Sequence, residues 1–325
     1  MDLRYICAQP TIPYYLWQVE VLINNFIETG IKPNQIDIVC LKTEGGVPED
    51  WVRLVNHYNT VRFFFYDDTR KTKNYTSSIR PNMLKQHWLA RPEIWGEAIF
   101  YHDCDIAFTK PINWEQFLGD DNWYGSDTKW YISHDYIISK GEDVLDKMCS
   151  VVGIDKQVVK NNELNSIGAQ YILKDIDWKF WDDVERDSEN LYSKISKYNK
   201  RKIVEMKDTN PLYNPLQIWC ADMWAVLWNG WKRGKKTICH DDLNFSWGTS
   251  NKRDWDRFNI FHNAGVTSDK YGLFYKPNYM NKLPYLENLE IKPNTASREY
   301  WKLIQRVGKK SCLINNEKIN EKVMR

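Results

Sequence analysis

The chain has 325 residues, enough for one large domain or two small ones, and its 42% hydrophobic and 27% charged content is that of an ordinary globular protein. With 45 basic and 43 acidic residues the net charge is only +2, which excludes a polycation held on nucleic acid by bulk charge, though not a local basic groove. Seven scattered cysteines without a CxxC pair exclude a disulfide framework and a structural zinc site. In chain order, RYICA (4–8) reads as a first strand, ended by QPTIP. A helix follows with Leu16, Val19, Ile23, Phe26 and Ile27 on one face and Gly30 just past its end. IDIVCL (36–41) is a second strand, EDWVRLVNHY a short helix, and VRFFFYDD (61–68) a third strand. Another helix runs from Pro81 to Ala90, and AIFYH (98–102) is a fourth strand. Such alternation builds a mostly parallel sheet flanked by helices, an α/β fold in which ligands collect at the carboxyl ends of strands.

The second half is less regular. WYGSDTKWYISHDYIIS (123–139) reads as strands around a turn, followed by a helix over 144–152 and a charged amphipathic helix in DWKFWDDVERDSENLYSKI. In NPLQIWCADMWAVLWNG, Asn214 is placed to cap a helix, Pro215 to open it and Gly230 to end it. LNFSWG and FNIFHNAG are strand-like, and the tail from Ser297 is an amphipathic helix. Without a repeat or linker, one domain over 1–285 is expected, its βα half at about 1–110, with a helical extension over 286–325. The start lacks the basic-then-apolar layout of a signal peptide, and no window approaches the ~20 apolar residues that span a bilayer. The expectation is a cytoplasmic protein, in the host cytoplasm if viral.

The chemistry concentrates in HDCDIAF. Asp103 and Asp105 end a strand that the apolar run Ala98 to Tyr101 would bury, and burying two carboxylates side by side is unfavourable without a partner. Residues two apart share a face of a strand, so both can reach one Mg2+ or Mn2+. The alternative is a strand-end turn with solvated aspartates. Asp222 lies among Ile218, Trp219, Met223, Trp224, Val226 and Leu227. A carboxylate there is either paired to a base such as an arginine or poised for proton transfer. Asp241 and Asp242 compete for that role but read as a solvated turn. SIGAQY sets Gly168 before Gln170, either for close approach to a donor sugar or as a tight turn. Arg80 and Lys85 are candidate cations for a phosphate, or simply solvated.

The βα alternation, HDCDIAF and the later FHNAG resemble nucleotide-sugar-dependent glycosyltransferases of the GT-A fold, over about residues 3–285. The resemblance implies that Asp103 and Asp105 bind a divalent ion bridging the donor diphosphate, that Cys104 lies against the donor, and that His262 completes the metal site. It also places Gln9 and Thr11 at the nucleotide base and implies an acidic residue, here Asp222, as base on the acceptor hydroxyl. The segment NSIGAQYILKDIDWKFWDDVERDSENLY looks further like glycosyltransferases of bacteriophages, some DNA-modifying. That likeness, with basic clusters beside aromatics at 198–202, 228–236 and 251–255, points to DNA carrying hydroxymethylated pyrimidines as acceptor. Trp228, Trp231 and Trp247 would then meet the acceptor. A glycan or lipid-linked acceptor, and a non-catalytic carbohydrate-binding protein, are the rival readings. The 16 Trp and 19 Tyr suit stacking on sugars or bases, although any single one is more often core. Oligomeric state is not legible.

Overall fold

The computed structural model describes residues 3–267 and 272–314. The chain begins with β1 (Leu3–Pro10), α1 (Pro13–Glu28), β2 (Ile36–Leu41), α2 (Glu49–His57) and β3 (Arg62–Tyr66), in the predicted alternation. Next come α3 (Ile79–Ala90), β4 (Ala98–Tyr101), β5 (Ile106–Phe108) and β6 (Trp123–Asp127). Four short or medium helices follow, α4 (Lys129–Ile132), α5 (His134–Ile138), α6 (Glu142–Val152) and α7 (Lys156–Asn161). The chain then runs through β7 (Ile167–Lys174), the long α8 (Trp178–Met206), α9 (Ala221–Lys232), β8 (Thr237–Cys239) and β9 (Phe245–Trp247). It ends in α10 (Lys252–Arg257), β10 (Ile260–His262) and α11 (Ala296–Gly308). The fold is mixed α/β, with a seven-stranded sheet in the order β3-β2-β1-β4-β7-β6-β8 and a small sheet β5-β10-β9. No described helix is long and apolar enough to cross a membrane.

The chain forms two compact units, each assembled from separated segments. The amino-terminal unit takes residues 4–67, 102–113 and the chain from 242 onward; the central unit takes 68–101 and 114–241. In the amino-terminal unit β1, β2 and β3 are parallel, and β1 and β2 are buried almost throughout, as apolar strands without alternation should be. Here α1 lies close to β5. Asn25 exchanges two hydrogen bonds with the backbone of Phe108, at 2.9 and 2.6 Å, and the Phe26 and Phe108 rings stack at 4.3 Å. These contacts fix the strand that follows the Asp-Cys-Asp turn.

In the central unit β7 runs antiparallel to both β4 and β6, so the sheet is less parallel than the alternation suggests. Two further elements differ from expectation. Lys129–Ile132 and His134–Ile138 are helical beyond β6, and the extended Ser133 between them caps α5 by accepting from Tyr136 N. The helix read as opening at Pro215 instead begins at Ala221, after a single turn of 3-10 helix over Ile218–Cys220. Asn199 Nδ2 donates to Leu216 O at 2.8 Å and ties down the segment before that turn. This shift sets Asp222 in the first turn of α9 rather than mid-helix.

Candidate active site

In the amino-terminal unit β5 pairs with β10, and Asn263 N donates to Asp105 O at 2.9 Å. That pairing carries His262 to the aspartates. His262 Nε2 lies 3.5 Å from Asp103 Oδ2 and 3.4 Å from Asp105 Oδ1. One ligand atom from each residue falls within 4.8 Å of the others. Ligands bound at ~2.1 Å and at right angles around one ion stand ~3 Å apart, so little movement would close the site on a metal. Asp105 and His262 are only 4% and 7% exposed. Two carboxylates and an imidazole suit Mn2+ or Mg2+.

A fourth group stands here that the sequence reading missed. Lys276 Nζ bonds to Asp105 Oδ2. Burial would raise the Asp105 carboxyl, but the charges of Lys276 and His262 more than offset it and hold the carboxyl well below the usual range. His102 next door is buried, and burial pushes its imidazole down to about 4. A neutral ring whose Nδ1 lies 2.8 Å from Asp103 O braces the turn without adding charge.

Three other expected residues lie in this unit. Gln9 ends β1 with Nε2 3.6 Å from Cys40 Sγ, while its buried Oε1 meets no hydrogen-bond partner among the described residues. Thr11 spends its hydroxyl on Leu41 O at 2.7 Å. Cys104 is buried, and burial raises its thiol well above the ordinary value. Trp247 lies parallel to the His262 ring at 6.1 Å, where it steadies the imidazole.

In the central unit Asp222 accepts from Tyr75 OH at 2.6 Å and pairs with Arg80. Arg80 is thus the arginine partner that its apolar surroundings called for. Tyr75 OH also lies 2.5 Å from Trp219 O, and Glu189 fastens the Tyr75 loop through Ser78 Oγ at 2.6 Å and the backbone N of Asn74 and Tyr75. Lys85 is committed to Glu185 at 2.6 Å and Asp182 at 3.2 Å. Gln170 is fully buried and accepts from Ser126 Oγ at 2.6 Å. It follows Ala169, whose φ of 60° is left-handed and unfavourable for a residue with a Cβ. Gly168 is required for space: a Cβ there would stand 2.4 Å from Met223 Cε and 2.6 Å from Thr128 Oγ1.

The structure buries Trp228 and Trp231 in the core, with Trp231 Nε1 donating to Thr237 Oγ1 at 2.9 Å, so neither offers a ring face to a ligand. Five of the nine cations in the basic clusters make surface ion pairs. Arg233 pairs with Asp177 and Asp183, Lys235 with Asp175, Lys252 with Asp256, and Arg201 and Lys202 with Glu205.

No family model and no curated protein matches the chain. Among solved structures, the apo WbbM bifunctional glycosyltransferase is similar over 95% of this chain and 51% of its own, at 10% identity and a TM-score of 0.48. This chain therefore spans about half of that one's length. The apo mouse xyloside xylosyltransferase 1 is similar over 82% of this chain and 99% of its own, at 8% identity and a TM-score of 0.38. The galactosyltransferase LgtC, solved with donor and acceptor sugar analogs, is similar over 94% and 96%, at 11% identity and 0.39. Similarity at this level assigns no residue a role; the side chains themselves must do that.

Proposed function

We propose that the chain is a metal-dependent glycosyltransferase of the GT-A type, moving a sugar from a nucleoside diphosphate sugar, a UDP-sugar in the first instance, to a hydroxyl acceptor. The convergence of Asp103, Asp105 and His262 beside Lys276 carries this reading. With a neutral imidazole, two carboxylates and one ammonium sum to about −1. A divalent ion takes such a site to about +1, which attracts the roughly −2 diphosphate of a donor, so ion and nucleotide favour each other's binding. When bound, the ion supplies Lewis-acid stabilisation of the charge that builds on the leaving diphosphate. In the reaction the bond between the anomeric carbon and the diphosphate oxygen breaks, and a bond from the acceptor oxygen to that carbon forms. The hydroxyl proton leaves to a base. Lys276 offers an ammonium to the diphosphate oxygens, and its tie to Asp105 keeps it at the site before the donor arrives.

Asp222 is the proposed proton acceptor. It is already paired with Arg80, and withdrawing that guanidinium toward a substrate would release a carboxylate oxygen for the task. Asp222→Asn keeps the shape and removes the basicity, so turnover should fall while UDP affinity holds. The hydroxymethylpyrimidine acceptor loses two of its three tryptophans to the core. A saccharide hydroxyl therefore stands ahead of a DNA base here.

Calorimetry with UDP and Mn2+, followed by donor hydrolysis across a nucleotide-sugar panel, tests the reading. Nucleotide binding that needs the metal, and hydrolysis of at least one donor, are expected. Metal-independent or absent UDP binding would sink it.

A further inference from the structure

Most tryptophans of the central unit are buried, among them Trp88, Trp123, Trp181, Trp224 and Trp228. Trp130 is 85% exposed and Trp219 59%, and Trp219 is set apart by what surrounds it. Leaving so large an apolar ring in water forgoes burial worth a few kcal/mol, so the exposure calls for a reason. One side of the indole is backed by Tyr131, with ring centroids 6.2 Å apart and planes 22° from parallel. The indole N–H meets no acceptor among the described residues.

The backbone of Trp219 stands beside reactive polar groups. Trp219 precedes Asp222 by three residues in a continuous turn, since Cys220 and Ala221 join the 3-10 turn to α9, and a spacing of three brings side chains to the same side. Tyr75 OH touches both Trp219 O and Asp222 Oδ1, at 2.5 and 2.6 Å. Its loop is clamped by Glu189, and its ring stacks on Tyr192 at 4.9 Å. The backbone at Trp219 is therefore tied to the carboxylate that pairs with Arg80.

We infer that Trp219, backed by Tyr131, is the acceptor platform: the C–H face of a pyranose ring stacks on the exposed indole, and its hydroxyls reach the Asp222–Arg80 pair at the rim. This rests on the transferase reading and names its acceptor as a saccharide. A flat apolar ring three residues from a carboxylate paired to a guanidinium suits a sugar, which is apolar on its face and hydroxylated round its edge. A nucleic acid would also stack, but it needs cations for its phosphates. Lys129 on α4 pairs with Asp127 at 3.0 Å, and Arg80 is a single guanidinium where a phosphate backbone calls for several cations.

The test is ligand-observed saturation-transfer NMR on the full chain with methyl pyranosides of glucose, galactose, mannose and N-acetylglucosamine. A single-stranded oligonucleotide containing hydroxymethylcytosine is run beside them. Wild type should saturate at least one glycoside. Trp219→Ala should weaken that binding by about tenfold, the loss expected for one stacked ring, while Trp219→Phe keeps most of it. Far-UV circular dichroism and the thermal transition report folding in each variant, which is expected to persist. No glycoside binding by wild type, equal binding by folded Trp219→Ala, or preference for the oligonucleotide would overturn the platform. Failure of wild type to bind UDP with Mn2+ would instead strike the transferase reading, because glycoside binding is read without turnover.

Discussion

Asp105 illustrates how a residue can be both an ordinary ion-pair partner and a candidate metal ligand. Its carboxylate is buried and bonded to Lys276, so losing it strands an ammonium with little exposure. Removing one partner of a buried pair typically costs 3–5 kcal/mol, and about 2 kcal/mol is a fair expectation here because the Lys276 side chain keeps some contact with water. Asp105→Asn is therefore expected to lower the melting temperature as well as to abolish Mn2+-dependent UDP binding. Lys276→Met separates the two effects. It removes a cation that repels the incoming ion, so Mn2+ should bind more tightly without nucleotide, whereas UDP should bind less tightly with Mn2+ present. Titrating Mn2+ into both forms, with and without UDP, reads the sign of each change. Weaker Mn2+ binding in Lys276→Met without nucleotide would show that Lys276 supports the metal rather than competing with it.

At the scale of elements, α1 carries a buried acid that chemistry at the site does not use. Glu20 accepts from Tyr285 OH at 2.6 Å, Ser311 Oγ at 2.7 Å and Cys312 N at 3.3 Å, pinning the segment after α11 to α1. Burial raises its carboxyl, and these hydrogen bonds only partly offset that. A raised carboxyl binds its proton more tightly in the folded chain than in the unfolded one. Stability should therefore fall as pH rises from the ordinary value of about 4.3 through the raised one, then level off. Glu20→Gln, neutral throughout, should flatten that slope in melting curves from pH 4 to 8; an unchanged slope would assign it to other groups. The same scale shows what the sequence could disclose. Strands β1, β2 and β4 were legible because they are buried on both faces and read as apolar runs, and the Asp-Cys-Asp turn because carboxylates after such a run need a reason. The start of α9 was not, since Asn214 and Pro215 fit a helix opening locally while the bond from Asn199 holds that stretch out of helix. Lys276 was invisible for a related reason: the fold, not any local pattern, brings it to Asp105. Trp219 looked like part of an apolar stripe, and only the short 3-10 turn exposes it.

For the whole molecule, the order in which segments contribute to each unit decides what can be removed. The amino-terminal unit is finished by the chain beyond 242, so its first strands cannot complete a core until the last hundred residues or so have joined them. The helix α11 is part of that core. Tyr300 packs on Phe261 with centroids 4.7 Å apart, and Trp301 stacks on Phe274 at 5.5 Å. Ser297 Oγ accepts from Phe274 N at 2.6 Å, and Leu303, Ile304 and Val307 are buried on the same helix. Phe261 is the neighbour of His262 in β10, so the cover that α11 provides lies one residue from the candidate metal ligand. Five large apolar side chains at about 2 kcal/mol each amount to about 10 kcal/mol, comparable with the whole stability of a typical domain. A chain ending at residue 285 is therefore expected to lose its cooperative thermal transition in the amino-terminal unit, and with it all Mn2+-dependent UDP binding. Differential scanning calorimetry and a UDP titration on that truncated chain measure both. Retention of a sharp transition together with metal-dependent nucleotide binding would make α11 an accessory extension and leave β10 held by its sheet partners alone.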